Sequence, residues 1–216
     1  MHVNLQLILT TIILFSAALH IHAEYRGPRR HVYIFKPLTV LLIIALATSF
    51  PQPVATLYRN LVIAGLVFSL AGDVFLMLSS DRFMAGLASF LAAHLIFIAA
   101  FLCTAKQEIF AVYLLPFLVG GGALFLLLQS HLGNLKAPVA VYICVISCMA
   151  WAALNRWLAT EQPAAVLAFS GALFFLLSDS LLAWDRFKTK FHKARFYVLT
   201  TYFMAQWLIA FSITAG

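Results

Sequence analysis

The chain has 216 residues, of which 64% are hydrophobic and 10% charged, whereas a soluble domain carries about 25% charged residues. A single water-soluble core has no room for that much apolar surface, so a soluble enzyme or a nucleic-acid-binding domain is excluded as a class. The excess of 14 Lys and Arg over 7 Asp and Glu, net +7, falls between apolar runs, where anionic lipid headgroups rather than nucleic acid are the natural partners.

With a window of about 20 residues for a helical span, apolar segments fall near 3–22, 31–49, 60–79, 83–104, 110–130, 137–158, 163–184 and 195–214. The first resembles a secretion signal in ending Ile21-His22-Ala23. It lacks Lys or Arg ahead of the apolar run and is followed by many further spans, so an uncleaved first helix is expected. Short polar or Pro-containing connectors follow, among them Tyr25-Arg-Gly-Pro-Arg-Arg30, Ser79-Ser-Asp-Arg82 and His131-Leu-Gly-Asn-Leu-Lys136, with a longer one from Asp185 to Arg195. The expected fold is an all-α integral membrane protein, a compact bundle of eight transmembrane helices forming a single transmembrane domain over residues 1–216. Cys103, Cys144 and Cys148 show neither metal-ligand nor redox spacing and are expected to be small core residues. Gly120-Gly-Gly122 is expected to let two helices approach closely.

Alternate connectors lie on opposite sides of the bilayer. One side collects Arg26, Arg29, Arg30, Lys36, Arg82, Lys136, Arg186, Lys188, Lys190, Lys193 and Arg195; the other has Arg59, Lys106 and Arg156. The positive-inside rule then places the first side in the cytoplasm and both termini outside, in the cell membrane. The two halves share a weak pattern. One and the same interval separates Lys36 from Tyr142 and Asp73 from Asp179, and an Asp-Arg-Phe follows each acid, at 81–83 and 185–187. Two related four-helix halves of like orientation would bring both acids toward the same face.

An ionised side chain at bilayer depth costs about 2.5–3.5 kcal/mol on insertion scales, so each needs a reason. Asp73 and Asp179 lie five or six residues inside the basic ends of their spans, about 8–9 Å deep at about 1.5 Å per residue. Lys36 and Tyr142 reach similar depth on other helices, and His94, Tyr202 and Gln206 fall nearer the midplane. Blander readings stand beside these: snorkelling for Lys36, an interhelical hydrogen bond for His94 or Gln206, and packing for the tyrosines. For the aspartates the bland reading is a structural ion pair, but Lys36 can neutralise only one of the two. Asp81, Asp185, Glu24, Glu108 and Glu161 are expected to be solvated loop charges. The 20 Phe scattered through the spans suit a cavity for a hydrocarbon chain and equally suit lipid-facing packing.

The fragments Tyr25-Arg-Gly-Pro28, Phe35-Lys-Pro-Leu-Thr39, Leu70-Ala-Gly-Asp73, Phe90 to His94 and Leu177-Ser-Asp-Ser180, in that order across the chain, resemble the YhhN-like lysoplasmalogenase family. The resemblance implies an eight-helix membrane hydrolase acting on a lysophospholipid in the bilayer. It would cleave the vinyl ether bond of lysoplasmalogens to a fatty aldehyde and glycerophosphoethanolamine or glycerophosphocholine. Asp73 and Asp179 match the family's intramembrane acids, with Lys36 and His94 also matching; no metal or cofactor is implied. Two carboxyls can divide such chemistry between a general acid and a carboxylate that stabilises the cation and activates water. The sequence does not assign the two roles. An alternative is a proton-coupled small-molecule or lipid transporter relaying protons through the same aspartates, and a further one is a non-catalytic membrane scaffold.

Overall fold

A computed structural model describes residues 2–51, 55–78, 82–104 and 111–214, with side chains from residue 5 onward; Asp81, Lys106 and Glu108 lie outside the described residues. Eight long helices follow one another: α1 (His2–Arg26), α2 (Arg29–Thr48), α3 (Thr56–Met77), α4 (Phe83–Cys103), α5 (Leu115–Leu128), α6 (Lys136–Thr160), α7 (Pro163–Ala183) and α8 (Ala194–Phe211). The described residues contain no β-sheet. Seven of these helical stretches are long and apolar enough to cross a membrane, α5 counting with the 3-10 turns at both its ends. The eighth, α8, has 18 residues, about 27 Å at about 1.5 Å per residue, and its polar Tyr202 and Gln206 are turned into the bundle.

The bundle is apolar inside and out, as a bilayer solvent demands. Leu14, Phe15, Val119 and Leu126 are exposed on its outer surface, while Ile43, Leu66, Phe97, Met149 and Phe175 are fully buried. Small residues set the closest helix approaches. A Cβ on Gly65 would stand 2.4 Å from the Phe97 ring, and one on Gly171 2.9 Å from the Ala205 carbonyl oxygen. In the Gly120–Gly122 run only Gly121 makes such an approach, against Ile143 and Ser147; Gly120 and Gly122 face open space.

Helix neighbours repeat between the halves. α1 pairs with α2 as α5 with α6, α2 with α3 as α6 with α7, and α3 with α4 as α7 with α8; across the halves α8 meets α2 as α4 meets α6. Exchanging the halves preserves all of these contacts, the pattern of a duplicated four-helix unit with a two-fold axis along the bundle.

Four expectations need correction. The connector after the first span is shorter than predicted, because α1 runs through Arg26 and α2 begins at Arg29, leaving Gly27-Pro28 as the turn. The connector after the seventh span begins as a π-helical turn, Trp184–Lys188. The cysteines are not core residues: Cys103 and Cys144 are exposed on the bundle surface and Cys148 is partly so. Arg156, counted as a loop base, is fully buried near the end of α6. Its guanidinium donates to the Tyr58 hydroxyl at 2.7 Å and to the Ser212 carbonyl at 3.4 Å, and stacks 4.0 Å over the Tyr58 ring.

Candidate functional site

The site lies where the C-terminal ends of α1, α3 and α7 meet the N-terminal ends of α2, α4 and α8. This is the face that carries most of the bases. Between these ends a cavity of about 1000 Å³ is lined by Lys36, Asp73, Asp179 and Tyr202 in its depth and by Arg29, Arg186, Lys190 and Arg195 toward its mouth.

Local sequence explains how each acid reaches this place. Asp73 sits one turn before the end of α3, and the preceding Gly72 lets α4 come close: a Cβ there would stand 2.7 Å from the Phe90 ring. Asp179 occupies the equivalent turn of α7 between two serines. Ser178 donates to the Val198 carbonyl of α8 at 3.0 Å, and Ser180 back-bonds to Leu176 in its own helix at 2.7 Å. Lys36 precedes Pro37, whose ring removes one backbone donor from the middle of α2. Thr39 donates to the Phe35 carbonyl at 2.7 Å and meets Ser16 of α1 at 2.7 Å, which ties this stretch of α2 to its neighbour.

The two acids have unlike partners. Asp73, 1% exposed, pairs through Oδ1 with the Lys36 ammonium at 2.9 Å, and its Oδ2 accepts the Tyr202 hydroxyl at 2.6 Å. Asp179, 16% exposed, accepts the Tyr142 hydroxyl on Oδ2, and the His94 ring stands 4.0 Å from the same oxygen. Among the described residues no lysine or arginine forms an ion pair with Asp179. Each acid is thus met by one group from the helix before it in its own half, α2 or α6, and one from the other half, α8 or α4. The two-fold pattern of the fold reaches down to individual side chains. His94 is fully buried, edge-on to the Tyr142 ring at 5.2 Å and the Phe175 ring at 4.7 Å. Phe90, Phe175 and Tyr202 pack on one another around the acids.

Of the residues expected here, Lys36, Asp73, Asp179 and Tyr202 share the cavity. Tyr142 faces a second, apolar cavity of about 100 Å³ whose wall also includes Asp179. His94 stands beside Asp179 without lining either cavity, and Gln206 is buried one turn beyond Tyr202 on α8. Glu24 and Asp185 are not plain solvated loop charges. Both line the cavity mouth; Glu24 pairs with Arg195, and Asp185 accepts the Phe191 amide at 3.2 Å. Tyr25 accepts the Phe196 amide at 3.0 Å, so α1 and α8 are strapped together there. Arg186, lying 3.9 Å over the Phe83 ring, was not singled out from sequence, although it belongs to the repeated Asp-Arg-Phe tripeptide. Among the described residues no three His, Cys, Asp or Glu side chains converge as a metal site.

An all-α, multi-pass membrane protein with two carboxyl groups in a one-sided cavity is the class these features define. Residues 31–213 match the YhhN family, and the chain belongs to that family. It is 30% identical over 201 residues to "Uncharacterized membrane protein YhhN" of Escherichia coli O6:H1, covering 93% of this chain and 96% of that protein. It is 37% identical over 155 residues to human "Lysoplasmalogenase TMEM86B", covering 72% of this chain and 64% of that protein. To human "Lysoplasmalogenase TMEM86A" it is 30% identical over 220 residues, covering 86% and 88%. No solved structure matches the chain.

Proposed function

We propose that this protein is a membrane hydrolase that cleaves the vinyl ether bond of lysoplasmalogens, with Asp179 as general acid and Asp73 as the carboxylate that stabilises the cation and activates water. Its basic face would lie in the cytoplasm. The observation that carries the reading is the unequal pairing of two carboxyls in the wall of one cavity. Asp73, held 2.9 Å from the Lys36 ammonium, is the natural bearer of negative charge. Asp179 has no such cation and stands where the polar cavity adjoins the apolar one, so it is the natural bearer of a transferable proton. Relatives named lysoplasmalogenases support the same substrate class.

The reaction divides accordingly. The Asp179 carboxyl delivers its proton to the alkenyl carbon distal to the ether oxygen, and the electron pair of the double bond forms the new C–H bond. The resulting oxocarbenium ion lies over the Asp73 carboxylate. Water adds to its carbon and gives up a proton, Asp73 being the base. The hemiacetal then collapses as the Asp179 carboxylate takes its hydroxyl proton and Asp73 gives its own to the leaving ether oxygen, which releases the fatty aldehyde and the free glycerol hydroxyl of the glycerophospho product and restores both carboxyls. Tyr142 and Tyr202 hold the two carboxyls in place, and His94 keeps Tyr142 against Asp179. The basic rim of Arg29, Arg186, Lys190 and Arg195 suits a phosphate headgroup.

Proton transport would need titratable groups continuing toward the opposite face. There, among the described residues, the buried charge is Arg156, which has no acceptor lone pair with which to pass a proton on.

The decisive assay gives purified protein a lyso-alkenyl phospholipid and measures free aldehyde. Release from the vinyl ether is expected, with the saturated ether and the ester analogue left intact, because only the vinyl ether has a carbon basic enough to take a proton from a carboxylic acid. Ester cleavage at a comparable rate, or proton or lipid movement across vesicles without aldehyde, would replace this reading.

A further inference from the structure

The apolar cavity beside Asp179 runs along α6 from Val139 to Ser147, about 12 Å of helix at about 1.5 Å per residue, and ends against Gly120 and Gly121 of α5. It is narrow. With a volume of about 100 Å³ it holds a few methylenes, so a longer chain must leave it. The two-fold pattern indicates where. α1 packs on both α2 and α8, but its counterpart α5 packs on α6 and on the short turns near its ends, with no comparable contact to α4, the counterpart of α8. α4 and α5 are therefore the less closely packed wall of the cavity, which Leu87 of α4 and Gly120 of α5 both line, and Gly120 is at the same time exposed on the outer surface.

We propose that the seam between α4 and α5 beside Gly120 is a lateral port. It seats the hydrocarbon chain of a single-chain ether phospholipid, the first methylenes lying in the slot and the remainder passing into the bilayer. The proposal rests on the functional reading above in taking the chain to be that of the substrate. Continuity with the acid site argues for this occupant. The slot shares Asp179, Phe90, Phe83 and Arg186 with the polar cavity, so a chain in the slot leaves its ether end at Asp179 and its phosphate toward the basic rim.

Gly120 and Gly122 provide a matched pair for the test. A Cβ at either meets nothing within 4 Å, so both tolerate a side chain, but only Gly120 lines the slot. A saturated ether lysophospholipid with a photoreactive diazirine in its chain binds without being cleaved, and peptide mapping after irradiation reads its position. Adducts are expected on α5 and α4 at the slot. Gly120→Phe should reduce them at least about tenfold, the scale on which a pocket discriminates by a few methylenes, and should raise KM for a long-chain substrate. Gly122→Phe should do neither. Adducts spread evenly over the outer helices, equal labelling of Gly120→Phe and the parent, or loss of slot labelling to excess diacyl phospholipid would each overturn the port. Slot labelling in a protein that releases no aldehyde would overturn the hydrolase reading and leave the port standing; aldehyde release with labelling elsewhere would do the reverse.

Discussion

Lys36 and Asp73 form an ion pair buried among apolar helices, and such pairs respond unequally to losing one member or both. Removing one partner strands a charge and costs about 3–5 kcal/mol, whereas replacing both can be neutral. Lys36→Met should therefore lower the melting temperature markedly in a fixed detergent, and Lys36→Met with Asp73→Asn should recover most of the loss; a double variant no better than the single would show that the pair is not what holds these helices. For chemistry the aspartates are tested singly. Asp179→Asn, which breaks no ion pair with a lysine or arginine among the described residues and opens no cavity, should stay folded, whereas Asp73→Asn strands Lys36 and should melt lower. In the folded fraction of each, aldehyde release should drop roughly 100-fold or more, the scale of losing a general acid or base. Folded variants that keep the parent rate would remove both residues from the mechanism. Both acids and the lysine stand out in the sequence because charge within a span has a cost. Their pairing did not, since snorkelling and salt bridging place the same lysine at the same sequence depth.

Helix existence was legible in the runs of apolar residues, and most ends fell within a few residues of the predicted spans. Helix faces were not legible. In a membrane the lipid-facing stripe and the packed stripe are both apolar, which is why Cys103 and Cys144 could be taken for core residues and why Arg156 could be counted among loop bases. Glycines show the same blindness: Gly65 and Gly122 look alike in sequence, yet a Cβ on the first stands 2.4 Å from the Phe97 ring and on the second meets nothing within 4 Å. Gly65→Leu should consequently destabilise by about 1–3 kcal/mol or more through overpacking, and Gly122→Leu should be near neutral, as read by thermal melts of the two side by side. The far end of the bundle gives a second contrast. Tyr58 is the 2.7 Å acceptor for Arg156 and also meets Ser212 at 2.5 Å, so Tyr58→Phe leaves a buried guanidinium short of a partner. A loss of about 1–3 kcal/mol is expected with aldehyde release by the surviving protein unchanged, because this cluster lies across the membrane from the acids.

At the scale of the whole molecule, a four-helix unit used twice in the same orientation brings α3 and α7 to one face and hence Asp73 and Asp179 into one cavity. The halves have diverged where function would require it: the position of Lys36 in one is that of Tyr142 in the other, and α1 closes on α8 where α5 leaves α4 uncovered. The repeated interval and the Lys-for-Tyr difference were visible in the sequence; the unlike packing of α1 and α5 was not, because it depends on which helices touch. An even number of spans would put both termini on one side of the membrane. The cavity mouth carries Arg29, Arg186, Lys190 and Arg195, and the positive-inside rule assigns such a face to the cytoplasm. Burial of Arg156 only sharpens the asymmetry, since a base tied up inside the bundle no longer speaks for the opposite side. A reporter inserted after Lys188 should therefore read cytoplasmic, while reporters inserted after Pro51 and fused at the C-terminus read outside. If the C-terminal reporter is cytoplasmic while the Lys188 reporter is too, α8 does not cross. Tyr202 would then lose its place beside Asp73, and the shared cavity on which the two-carboxyl mechanism depends would have to be rebuilt from seven spans.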